Sequence, residues 1–205
     1  MNYKTVLFAI IFISGCATTE PINEIPMYGN LPKSQELIGY DQKFIYDVVK
    51  QFGSRDSACK VHIHLGNYYL GLGDPNIAIK RFNQAWLLDS TNADVYWGFA
   101  YSLEKKDRYK EAIPMFEKAI HYAPDNYKIW IGYAVCYSLI ADKEGNKSKK
   151  EEFFKKSELL FEKTEKMNDK SGDLYFGWAQ KWHKQGNEEK ANVYLQKAKD
   201  LGFQR

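Results

Sequence analysis

The chain has 205 residues, 44% of them apolar and 16% aromatic, and a formal net charge of +3 at neutral pH. That apolar content is enough for one packed domain and excludes a disordered chain. Lysines and arginines are interleaved with nearly as many acids, so no basic block marks a nucleic-acid interface.

The chain opens with "MNYKTVLFAIIFISGC": Lys4, an apolar run from Val6 to Ile13, then Ser14 and Gly15 before Cys16. The run is shorter than the about 20 residues that span a bilayer, and it fits the apolar region of a secretory signal over residues 1–15. "ISGC" resembles the lipobox of bacterial lipoproteins. That resemblance implies cleavage before Cys16, lipidation of its thiol and a membrane-anchored product. By the same resemblance, Ala17 implies the outer membrane, with the domain on its periplasmic face. An ordinary secretory signal ending in cysteine and an uncleaved anchor helix are the alternatives. Residues 16–33, with Pro21, Pro26, Pro32 and no helical period, read as an extended, mobile tether.

Over residues 34–53, "SQELIGYDQKFIYDVVKQFG" places Leu37, Ile38, Phe44, Ile45, Val48, Val49 and Phe52 on one helical face. Ser34 is placed to cap the start and Gly53 to close the end. The segment reads as an N-terminal capping helix.

From Cys59 onward the sequence repeats with a period of 34 residues. With units starting at Cys59 and Ala93, His62 aligns with Tyr96, Leu65-Gly66 with Phe99-Ala100, Ala78 with Ala112, Phe82 with Phe116, Ala85 with Ala119 and Ser90 with Pro124. A third unit starts at Tyr127, with Trp130, Tyr133-Ala134 and Tyr137 in register. Its later columns reappear at Ser157, Phe161 and Thr164, after an insertion of 11 residues over 142–152. A fourth unit runs from Gly172 through Tyr175, Trp178-Ala179, Ala191 and Ala198. Within each unit the apolar spacing of three to four predicts two amphipathic helices, and the short polar link predicts an antiparallel pair. Small residues let the helices approach while aromatic ones fill the gaps beside them.

The pattern resembles the tetratricopeptide repeat. The resemblance implies an all-α fold: a right-handed α-solenoid of about four antiparallel helix pairs behind the capping helix. The units are 59–92, 93–126, 127–171 and 172–205. The charged insertion predicts a solvated turn and an N-terminal extension of the following helix.

Nothing in the sequence carries chemistry. Setting Cys16 aside leaves Cys59 and Cys136, placed two repeats apart and so too distant for a disulfide. The two imidazoles of "HIH" at 62–64 point to different helical faces, and His62 falls in the aromatic core column. No nucleophile elbow, phosphate loop or zinc pattern is present. The expectation is a non-enzymatic protein without cofactor, metal or nucleic acid.

What remains is a surface. The resemblance implies that the first helices of successive repeats line a concave face, on which Asn67, Trp97, Tyr101, Lys128, Ile131, Val135, Phe176 and Gln180 stand. Trp97 and Phe176 lie outside the packing columns, and contact with neighbouring first helices is the competing account of them. The expected partner is a protein or peptide segment, with the membrane reached through the lipid. A role like that of the pilotins of secretin or pilus assembly, or as an accessory to a cell-wall enzyme, are alternatives. The last repeat helix lacks a following helix, so the apolar flank of "VYLQKAKDLGF" is left for a partner or a second copy.

Overall fold

The computed structural model describes residues 20–204, so the signal over 1–15 and Cys16 lie outside the described residues. The described residues form nine α-helices and two short 3₁₀ turns, with no strand among them. The helices are α1 (Gln35–Phe52), α2 (Arg55–Gly71), α3 (Pro75–Leu88), α4 (Ala93–Lys105), α5 (Tyr109–Tyr122), α6 (Tyr127–Lys143), α7 (Lys147–Met167), α8 (Gly172–Lys184) and α9 (Glu188–Asp200). Four pairs result: α2 with α3, α4 with α5, α6 with α7 and α8 with α9. The first helix of each pair also touches the first helix of the next, which sets the pairs in a row as a solenoid.

Local chemistry sets the boundaries. Asp74, Asn92, Asn126, Asn146, Ser171 and Asn187 each accept a backbone N–H in the first turn of the helix that follows. Within three of the pairs the turn reverses through a left-handed residue at one equivalent position: Gly73 (φ 77°), Asp107 (φ 60°) and Gly186 (φ 74°). Glycine, or an aspartate that tolerates this region, is required there.

Packing follows the predicted columns. Phe82, Phe116 and Phe161 are fully buried, as are Ala78, Ala112 and Ser157, and Ala85, Ala119 and Thr164. The third unit therefore regains register after the insertion, whose residues finish α6, turn at 144–146 and extend α7. Ser157, in an alanine column, disposes of its hydroxyl by donating to Ala134 O at 2.8 Å. The fourth residue of two units tethers its helix to the preceding loop in the same way. Tyr96 OH donates to Ser90 O and Trp130 Nε1 to Pro124 O, each at 2.7 Å.

The N-terminal part departs from expectation in two respects. Ser34 caps α1 and Gly53 closes it with φ 83°, but Leu37 is 47% exposed and Val48 is the one residue of α1 that is buried. Burial is carried by the second half, where Phe44, Ile45, Val49 and Phe52 meet the core. The described part of the expected tether, residues 20–33, is docked instead of extended. It makes 3₁₀ turns at Ile22–Glu24 and Pro26–Asn30 against α3, and Pro26 is buried. Asn83, fully buried on α3, donates from Nδ2 to Asn23 O at 3.0 Å and Ile25 O at 2.9 Å. A buried amide nitrogen has to find acceptors, and this segment presents the carbonyls of Asn23 and Ile25, the latter also accepting from Tyr28 N, while Asn83 Oδ1 has no partner among the described residues.

Cys59 and Cys136 are free and buried, with their thiols facing Ala85 O and Tyr109 O. At the far end the chain folds back after α9, and Phe203 stacks on Phe176 with centroids 4.4 Å apart. Part of the C-terminal flank is thereby covered from within the chain, while Val193 and Leu201 stay exposed.

Candidate functional site

The first helices α4, α6 and α8 border a groove of about 730 Å³. Trp97 and Tyr101 enter it from α4, Lys128, Ile131 and Val135 from α6, and Phe176 and Gln180 from α8. Asn67 is exposed on α2 and does not line the groove, which begins one repeat further along.

Two glycines, Gly132 and Gly177, are among the lining residues. Gly98, Gly132 and Gly177 occupy the sixth position of three consecutive units, each opposite the buried phenylalanine of the preceding pair. A Cβ on Gly98 would lie 2.3 Å from the Phe82 ring, one on Gly132 2.8 Å from Phe116 and one on Gly177 3.0 Å from Phe161. Such distances leave no room for a side chain, so glycine in this column lets each first helix seat against the buried phenylalanine of the preceding pair. Trp97 lies beside Gly132, its Nε1 3.3 Å from the point where a Gly132 Cβ would stand. Its indole is half-buried, and its N–H makes no hydrogen bond to another described residue. Tyr101 is 40% exposed, with Lys105 Nζ 5.2 Å over its ring.

The two ends of the groove are charged. Lys128 and Asp173 stand at one, Lys105, Asp107 and Lys184 at the other. At that second end Lys143 pairs with Asp107 at 2.8 Å and Lys184 with Asp142 at 2.9 Å. Between the ends, Glu104 is 8% exposed and its Oε1 has no hydrogen-bond partner among the described residues. Burial pushes its carboxyl up to about 8, against the opposing effects of the Cys136 thiol and the Lys105 charge. Burial and the neighbouring Glu104 also push the Cys136 thiol well above its ordinary range, which removes it as a nucleophile at neutral pH. Among the described residues no group of three or more His, Cys, Asp and Glu is placed to hold a metal. The groove thus offers rings, aliphatic side chains and paired charges, which are groups that adhere.

The column reading missed part of the lining. Tyr109 lines the groove from the start of a second helix, which a pattern built on first helices does not reach. Glu104 stands in a concave column, but the rise in its carboxyl comes from the α4–α6 packing, to which sequence spacing is blind.

Residues 103–144 match the family described as tetratricopeptide repeat. A comparison with curated proteins returned no match. Among solved structures the chain is similar to TTC0263, a thermophilic tetratricopeptide-repeat protein of Thermus thermophilus, with TM-score 0.66 and 14% identity over 70% of this chain and 74% of that one. It is similar also to the MamA protein, with TM-score 0.51 and 19% identity over 78% and 91% of the two chains. At such identities the likeness speaks for the fold, and it agrees with the helix pairs and the column packing. The family match in the middle of the chain, and the same columns filled on both sides of it, show the fold of a tetratricopeptide-repeat solenoid.

Proposed function

We propose that the protein is an interaction scaffold that holds a segment of a partner protein in the groove between α4, α6 and α8, by apolar and aromatic contact. The observation that carries this reading is the convergence of Trp97, Tyr101, Ile131, Val135 and Phe176 on one hollow. A repeat stack is pre-organised, so ordering costs fall mainly on the bound segment. Attachment through a lipidated Cys16, on the periplasmic face of the outer membrane, is part of the reading and would raise the local concentration of scaffold and partner together. No catalytic step is assigned to it.

The test is Trp97→Ala, examined by co-purification from crosslinked envelopes and by affinity for each partner recovered. Loss of a large buried aromatic anchor costs about 2 kcal/mol or more, so affinity is expected to fall at least tenfold. Phe176→Ala is paired with Phe203→Ala, because the two rings stack and only Phe176 lines the groove. Unchanged affinity in both Trp97→Ala and Phe176→Ala would rule out the groove. Recovery of a secretin ring or of a peptidoglycan enzyme would name the partner class.

A further inference from the structure

The four turns inside the helix pairs lie along one edge of the solenoid and are bonded in a row. Lys106 Nζ donates to Asn76 Oδ1 at 2.7 Å, Lys143 pairs with Asp107 at 2.8 Å, and Lys184 with Asp142 at 2.9 Å. The docked N-terminal segment reaches this same edge. Glu20 is gripped by Lys106 and by Arg108, whose Nη1 lies 2.7 Å from Glu20 Oε2. Burial would raise the Glu20 carboxyl, but the hydrogen bonds from Lys106 and Arg108 outweigh it and hold the carboxyl below its ordinary range.

We propose that this edge rests on an anionic bilayer surface, with residues 20–33 as the strap that holds it there. The inference rests on membrane attachment at the N-terminal end of the chain. Three residues separate Cys16 from Glu20, and four extended steps reach at most about 14 Å. A chain attached at Cys16 therefore enters the described structure at Glu20, beside Lys106 and Arg108. The opposite edge is a helix length further away, about 20 Å for 13 residues.

Charge supports the same orientation. On the strapped edge Lys105, Lys110, Lys147 and Lys149 are exposed and make no salt bridge among the described residues. Lys147, Lys149 and Lys150 crowd the first turn of α7, which has no acid. The helix dipole disfavours cations at that position, so helix stability does not account for them, and an anionic surface would. The loops of the opposite edge carry Asp89, Asp125 and Asp169 with Lys170, while the acids in the turns of the strapped edge are Asp74, Asp107 and Glu144, of which Asp107 is paired with Lys143.

The full chain, purified from membranes and reconstituted in vesicles, tests this. A fluorophore is placed at Gly145→Cys, in the α6–α7 turn where a side chain meets nothing within 4 Å, or at Asp125→Cys on the opposite edge. Energy transfer to headgroup-labelled lipid is then measured in phosphatidylglycerol–phosphatidylcholine and in phosphatidylcholine vesicles. Severalfold stronger transfer from position 145 in the anionic vesicles is expected, reduced by Lys105→Glu, Lys110→Glu and Lys149→Glu together. Equal transfer from both positions, or stronger transfer from 125, overturns the proposal. So does a contrast of the same size in neutral vesicles. Palmitate incorporation in the same sample reports separately on Cys16. If it is absent the lipid reading fails, but the apolar run at 6–13 still attaches the chain at the same end, and the transfer contrast still decides the orientation.

Discussion

Gly98 and Glu104 lie six residues apart on α4 and make opposite demands on their surroundings. With Phe82 fully buried and its ring 2.3 Å from any Cβ at position 98, Gly98→Ala forces a ring that has nowhere to go. The expected cost of overpacking is about 1–3 kcal/mol, partly offset by alanine's helix propensity of about 1 kcal/mol. Gly39, on α1 with nothing within 4 Å, is the matched control: Gly39→Ala should stabilise by up to about 1 kcal/mol. Urea unfolding of both variants checks the difference in sign. Glu104 is a carboxyl whose folded value is raised from 4.5 to about 8 by burial. The unfolded chain gives up this proton first, so stability is fullest below about pH 4.5 and is lost as pH rises toward 8. Glu104→Gln should therefore raise the melting temperature more at pH 8 than at pH 4.5, and thermal melts across that range would detect it. An equal shift at both pH values would mean that the carboxyl is hydrated in the folded state.

The helix pair is the unit in which the repeat has meaning. Ala112 is fully buried where α4 and α5 cross, so Ala112→Leu should overpack the pair at about 1–3 kcal/mol. Denaturant unfolding with an unchanged slope would place that loss in the folded state. The columns of Ala, Phe and Ala were legible in the sequence because a period of 34 residues leaves the same contacts to be filled in every pair. The register of α7 was legible for the same reason, through Ser157, Phe161 and Thr164. The half-exposed face of α1 was not. Amphipathic spacing says which residues share a face, but which part of α1 meets α2 and α3 decides how much of that face is covered. Nor was the docking of residues 20–33, since prolines announce the lack of a helix and are silent about what buried Asn83 requires.

At the scale of the whole molecule, repeats, anchor and groove make one arrangement. Cys16→Ser is expected to abolish incorporation of labelled palmitate and to leave an uncleaved precursor, seen as slower migration on gels; normal labelling would remove the anchor from the proposal. The concave columns were readable, and Trp97, Tyr101, Ile131, Val135 and Phe176 all reach the groove, because a periodic stack places equivalent residues on equivalent surfaces. Asn67 shows where that reasoning ends: its column is right, but its repeat lies beyond the groove. By itself the sequence determined the helix pairs, their order and the residues between them, since these are local and repeated interactions. Only the tertiary structure decided that Gly98, Gly132 and Gly177 seat buried phenylalanine rings, that burial raises the Glu104 carboxyl, that Phe203 covers Phe176 and that Glu20 is clasped to Lys106 and Arg108. Each of these depends on groups distant in the chain meeting in space, and no spacing rule carries that information.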